Sequence, residues 1–205
     1  MMQADALKLR DHVGMHLRNS AEVKLKMAES CTQSIISAAE LIAGTFTAGG
    51  KVLLCGNGGS AADCQHMAAE LVGCLRREST RPGLPAIALT TDTSFITAFA
   101  NDCGFERIFE REVEALGKPG DVLIGISTSG NSPNVIWALE AARLSNIHTL
   151  VLTGDGGRMR EIAQVAISVP SSNTQYIQEA HLSIEHILCD LVERRLFGER
   201  TQIGS

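Results

Sequence analysis

The sequence predicts an α/β fold of three layers: a five-stranded parallel sheet with helices on both faces, preceded by N-terminal helices. Three observations predict it. Five short β-rich runs recur at wide spacing between residues 51 and 169. Each is nearly continuous in apolar residues instead of alternating with period two, the pattern of strands buried on both faces. Stretches with a helical period of about 3.6 residues separate them, as strand–helix–strand units require.

Taken in order, residues 5–47 contain no proline, and Leu7, Val13, Leu17, Val23, Met27, Ile35, Ile36, Leu41 and Ile42 supply interrupted apolar stripes. They read as two helices broken near Ser30-Cys31. The register changes at Gly49-Gly50. Strands are expected at 51–55, 86–89, 122–126, 149–152 and 165–169, the last closed by Pro170. Helices are expected at 60–77, at 94–116 in two pieces, at 132–144, briefly near 158–163, and at 175–197, a long amphipathic segment. With no internal repeat, low-complexity tract or long linker, one domain is expected over 1–205, a helical segment 1–48 and an α/β core 49–205.

Composition narrows the function. The 205 residues carry a net charge of −5, with Phe 6, Trp 1 and Tyr 1. That leaves neither a general cationic field nor many rings for stacking bases, so no nucleic-acid partner is expected. Met1-Met2-Gln3-Ala4-Asp5 lacks the basic start and apolar stretch of a signal peptide. No run approaches the roughly 18 apolar residues of a membrane span, so a cytoplasmic protein without a membrane partner is expected. The six cysteines (31, 55, 64, 74, 103 and 189) form no CxxC pair and read as reduced packing residues.

In parallel sheets of this class ligands bind beyond the carboxyl ends of the strands. After the first strand, Gly56-Asn57-Gly58-Gly59-Ser60-Ala61 opens directly into a helix, where glycines admit a close ligand and exposed amides favour an anion. It also fits a dinucleotide fingerprint, with Asp92 in the place of the ribose acid, but short glycine patterns recur in α/β proteins. After the third strand, Ser127-Thr128-Ser129-Gly130-Asn131-Ser132-Pro133 again leads into a helix. Helix capping by Ser132 with Pro133 at the first helical position accounts for two of these residues, not for Ser127, Thr128 and Ser129. Hydroxyls and helix amides together suit a phosphate monoester, and a dinucleotide fold has no need of a second such loop. Thr153-Gly154-Asp155-Gly156-Gly157 reads as a turn first. Trp137 reads as a packing residue.

His66 and Glu70 lie four apart and project from one helix face close behind the first loop. On the last helix Gln178 and His186 are eight apart, and His181 with Glu185 forms a rival pair; spacing alone does not choose between the histidines.

Cys55 to Asp63, His66-x-x-x-Glu70, Pro85 to Ser94, Asn101-Asp102, Gly125 to Ser132, Ile177-Gln178-Glu179 and His186 together resemble the SIS-domain phosphoheptose isomerases over essentially the whole chain. The resemblance implies a flavodoxin-like SIS fold. It implies a sugar phosphate held at Asn57, Gly58, Gly59, Ser60, Glu70, Asp92, Ser127, Thr128, Ser129, Ser132 and Gln178. It implies an acid/base pair of Glu70 and His186, thus choosing His186 over His181, and a zinc ion (Zn2+) on His66, Glu70, Gln178 and His186, a donor set chemically suited to it. It also implies a homotetramer with sites at subunit contacts. The expected reaction converts sedoheptulose 7-phosphate to D-glycero-D-manno-heptose 7-phosphate through an enediol, a step toward lipopolysaccharide precursors. The alternative is a non-catalytic scaffold like the DnaA initiator-associating proteins, disfavoured because Glu70 and His186 are both retained. Two positions depart from the pattern. Cys74, with Arg76 and Arg77 beyond it, stands where well-known members have an arginine, and Asn173 or Thr174 stands where some relatives carry an aspartate.

Overall fold

The computed structural model describes residues 2–75 and 81–198, with side chains from residue 8 onward, so that of Leu7 is not among them. Two helices, α1 (Met2–Ser30) and α2 (Thr32–Thr47), lead into β1 (Val52–Gly56). Then follow α3 (Gly59–Val72), β2 (Ala86–Ala88), α4 (Thr93–Cys103), a 3-10 turn at Phe105–Arg107 and α5 (Ile108–Leu116). The chain continues through β3 (Val122–Ser127), α6 (Pro133–Leu144), β4 (His148–Thr153), the single turn α7 (Met159–Ile162), β5 (Val165–Ser168) and α8 (Thr174–Phe197). The expected strands and helices are all present.

The boundary that differs most is the end of α3. Gly73 leaves the helix with φ −84° and ψ −109°, so the helix stops at Val72 instead of continuing to 77. Arg76 and Arg77 lie outside the described residues. Between α4 and α5, Gly104 at φ +96° makes the break that divides the expected segment in two.

All five strands run parallel in the order β2-β1-β3-β4-β5. Order therefore reverses between β1 and β3, and the crevice beyond their carboxyl ends is where such a sheet binds ligand. Side chains alternate across the sheet. Val52, Leu54, Val122, Ile124 and Ile126 pack beneath α1, α2, α3 and α8. Leu53, Cys55, Leu123 and Val151 pack on α5, α6 and α7. Buried on both faces, these strands have no polar period, which explains the continuous apolar runs. Trp137 lies on the outer face of α6, 40% exposed, with the Arg107 guanidinium 5.1 Å from its ring centre; it is a lid on the surface more than a core residue.

At the opposite end of the sheet Asp121 ties the starts of β1 and β3 together. Its carboxylate accepts from the Lys51 amide (2.9 Å) and the Lys118 amide (2.8 Å) and pairs with the Lys51 ammonium. Burial would push this carboxyl up, but those hydrogen bonds outweigh burial and hold it below the usual range. A depressed carboxyl contributes stability that is present above the unfolded value and lost as pH falls through the folded one. Asp121→Asn is therefore expected to lower stability by about 2 kcal/mol at pH 7. In urea titrations the gap to the unaltered protein should close below pH 4.

Candidate active site

The first loop is built for close approach. Gly58 takes φ +57°, and a Cβ on Gly59 would fall 2.1 Å from Nε2 of Gln178, so glycine there leaves the Gln178 amide its place over the start of α3. Ser60 is buried in the first turn of α3. Asn57 and Asn134 exchange two side-chain amide hydrogen bonds, each 2.8 Å, which bolts the β1 loop to the start of α6. Asn57 thus holds the two loops in register. Asp92 is exposed beyond β2 and accepts from the Phe95 amide at 2.9 Å, capping α4.

The second loop keeps its hydroxyls together. Ser127 Oγ lies 2.9 Å from Ser132 Oγ and 3.3 Å from Ser129 Oγ. Ser132 stands at the N-cap position of α6 yet makes no side-chain cap, so its hydroxyl faces the loop and the capping explanation of it fails. Thr128 is half-buried between them. Both loops open at helix N-termini, so free amides and hydroxyls face one crevice. The glycine turn after β4 braces this loop. Gly130, at φ +66°, packs so tightly that a Cβ would lie 2.4 Å from the Gly156 carbonyl oxygen, and the Met159 amide donates to the Gly130 carbonyl at 3.0 Å.

The acid/base groups come from α3 and α8. Nε2 of His66 and Nε2 of His186 are 3.0 Å apart, and Oε1 of Glu70 lies 3.8 Å from the same His66 nitrogen. Two imidazole nitrogens at that spacing hold one proton or one cation between them. Ligand atoms about 2.1 Å from a tetrahedral zinc sit about 3.4 Å from one another, so these three donors fit the ion in kind and span. Among the described residues, however, no three His, Cys, Asp or Glu side chains close into a formed metal cluster. Oε2 of Glu70 is buried without a hydrogen-bond partner among them.

His181 is the rival that the structure sets aside. It is fully buried, and its Nε2–H donates to the Thr153 carbonyl at 3.2 Å, which holds α8 against the end of β4. Burial pushes its imidazole down to about 4, so it is neutral at pH 7. Glu185 is also buried, with both oxygens unpartnered among the described residues. Burial first and the Asp63 carboxylate second push it up to about 9. Asp63 itself is raised by burial, against a hydrogen bond from Gln178 and the nearby His66 imidazole, which lower it.

Asn173 is the N-cap of α8, accepting from the Gln175 amide at 2.9 Å and the Tyr176 amide at 3.4 Å. Cys74 is half-buried just past the end of α3. Sequence reasoning missed Glu112 on α5, buried with Oε2 unpartnered among the described residues. Its one available signal was a charge on the apolar face of an amphipathic helix.

The sequence model described as SIS domain matches residues 16–154. The chain is 54% identical over 181 residues to the phosphoheptose isomerase of Roseiflexus sp. (strain RS-1), covering 88% of this chain and 91% of that protein. It is 57% identical over 177 residues to the phosphoheptose isomerase of Aquifex aeolicus (strain VF5), covering 86% and 92%. Among solved structures it is similar to the phosphoheptose isomerase of Neisseria gonorrhoeae, with a TM-score of 0.85 and 44% identity over 90% of this chain and 98% of that one.

Burial, then the Asp92 carboxylate, push Glu112 up to about 7 from 4.5. A raised carboxyl contributes stability that is present below the unfolded value and lost as pH rises through the folded one. Glu112→Gln stays neutral, so relative to the unaltered protein it is expected to gain up to about 3 kcal/mol between pH 5 and pH 8. Thermal melts at the two pH values check this; an unchanged difference means that Glu112 is charged throughout.

Proposed function

The chain belongs to the SIS-domain phosphoheptose isomerase family, and from that premise we propose that it converts sedoheptulose 7-phosphate to D-glycero-D-manno-heptose 7-phosphate. The observation that carries this reading is the meeting of Glu70 and His186 about His66, from two different helices, beside two anion-ready loops at the switch point of the sheet.

Ser60, Ser127, Thr128, Ser129 and Ser132, with the first amides of α3 and α6, hold the phosphate. Asn57, Gly58, Gly59, Asp92 and Gln178 line the sugar. Anchoring the phosphate leaves the far end of the open chain beside Glu70, which converts proton transfer into a step within one complex. Glu70 takes the proton from C1 while His186 gives one to the carbonyl oxygen on C2, forming the enediol. The Glu70 proton then returns to C2, and the hydroxyl on C1 gives its proton to the imidazole, leaving the aldehyde. His66, Glu70, Gln178 and His186 would hold one zinc ion per subunit. That ion supplies Lewis-acid polarisation of the substrate oxygens when bound.

We read 1–205 as one SIS domain, its first two helices, α1 and α2, packed on the core that follows. Val23, Met27 and Ile35 share a cluster with α8 and the sheet, which supports this. A homotetramer accounts for an apolar face that a lone subunit leaves bare. Leu9, Val13 and Leu17 on α1 are 58–68% exposed. The free cysteines suit the reducing cytoplasm.

Incubation of the metal-analysed protein with sedoheptulose 7-phosphate, followed by NMR, is expected to yield the heptose aldose phosphate. Glu70→Gln should lower turnover by about 1,000-fold with an unchanged melting temperature. A folded, active Glu70→Gln protein removes the base from Glu70. Absence of turnover in the unaltered protein, with or without added zinc, would instead favour the scaffold reading. Sedimentation equilibrium is expected to give four subunits, and replacing Leu9, Val13 and Leu17 by serine should shift it toward smaller species.

A further inference from the structure

We propose that Arg81 is a positioning residue for this isomerisation, holding Glu70 in place through its main chain; the inference rests on the proposed reaction. Arg81 lies in the segment before β2, and its side chain is 1% exposed. One terminal nitrogen donates to the Glu70 carbonyl at 2.7 Å. The other donates to the Leu71 carbonyl at 2.9 Å and the Pro82 carbonyl at 3.0 Å. Nε donates to Oε1 of Glu193 at 2.7 Å, and that oxygen also accepts the Leu75 amide at 3.2 Å. One planar fork thus joins the last turn of α3, which carries His66 and Glu70, to α8 two turns beyond His186.

Two features make this more than a structural tie. The final carbonyls of a helix lack partners within it and carry its negative end. In α3 those of Glu70 and Leu71 are met by a desolvated guanidinium, a strong and directional donor. Second, among the described residues the Glu70 carboxylate has no close hydrogen bond of its own. Oε2 is buried and unpartnered among the described residues, and Oε1 has only His66 at 3.8 Å. Its position relative to substrate is therefore set by its main chain, which Arg81 grips. An arginine sought at the side chain of the base is met at its backbone.

A merely structural bridge and a positioning one separate when both charges are removed together. Arg81→Met alone strands the half-buried Glu193 carboxylate, whereas Arg81→Met with Glu193→Gln leaves no unpaired charge at the pair and keeps an acceptor for Leu75. NMR-monitored kcat and KM with sedoheptulose 7-phosphate, beside thermal melts, are expected to show the double variant folded. Its kcat should fall about 100-fold with KM within about threefold, the loss typical of a base displaced by about 1 Å. Arg81→Lys, keeping the charge but not the fork, should fall about 10-fold in kcat. A folded double variant with kcat within about threefold of the unaltered protein, or a loss confined to KM, overturns the proposal. If the double variant does not fold, Arg81→Lys decides by itself, and a kcat within about twofold overturns it. No turnover by the unaltered protein would fail the proposed reaction instead, which the same assay shows first.

Discussion

The site depends on how closely α8 is allowed to approach α3. They come close at Gly59, whose lack of a side chain leaves room for the Gln178 amide. With the two helices that close, His66 meets His186 and the carboxylate of Glu70 stands beside them. The same approach buries Asp63, His181 and Glu185 in the seam. Isolated charges cannot be accommodated there, and the groups respond as burial dictates: His181 and Glu185 are both held in their neutral forms. The seam is therefore polar without being strongly charged, and the ionisable groups that remain accessible are those facing the crevice.

The side proposed for the phosphate is organised on the opposite plan. Buried or half-buried hydroxyls at Ser60, Ser127, Thr128 and Ser132 face the crevice, and the described parts of the two loops contribute neither lysine nor arginine. Two helix N-termini supply partial positive charge in fixed directions and need no reorganisation when an anion arrives. The Asn57–Asn134 amide pair and the Gly130–Gly157 backbone contact hold the loops in that posture before any ligand is present. Cationic side chains would bind phosphate with less demand on geometry; this cradle gives up some attraction for a fixed position, and a fixed phosphate is what makes the reacting carbons predictable.

Much of this was legible in the sequence because strands buried on both faces leave unbroken apolar runs, and glycine and serine clusters at their ends mark where backbone must meet ligand. The strand limits moved by only a residue or so, and the pairing of His66 with Glu70 follows directly from helical spacing. What stayed hidden is long-range. Helical periodicity continues through Leu71 and Leu75, so nothing local announces that Gly73 ends α3 or that Arg81 returns to cap it. His181 and His186 are both plausible from spacing, and only the carbonyl of Thr153, on another element, shows which one is structural. That Asn57 also ties its loop to α6 was hidden because its partner, Asn134, lies 77 residues away.

In the proposed reaction the phosphate end and the acid/base end are both fixed to α3, and the helix works as a ruler. At 1.5 Å per residue, His66 stands about 9 Å and Glu70 about 15 Å along the axis from Ser60. An extended chain advances roughly 1.2 Å per bond, so eight bonds from phosphorus to C1 of a heptulose 7-phosphate span about 10 Å. That length carries C1 past the level of His66 and into reach of a glutamate side chain that leans back toward the helix N-terminus, as helical side chains do. A sugar two carbons shorter would stop about 2.5 Å sooner, beside the imidazoles but short of the carboxylate. The grip of Arg81 on the Glu70 carbonyl fixes the far mark of that ruler, while Gly59 and Ser60 fix the near one. On the proposed reading, chain length is set by the spacing of two anchors on one rigid helix, without a dedicated contact at every hydroxyl.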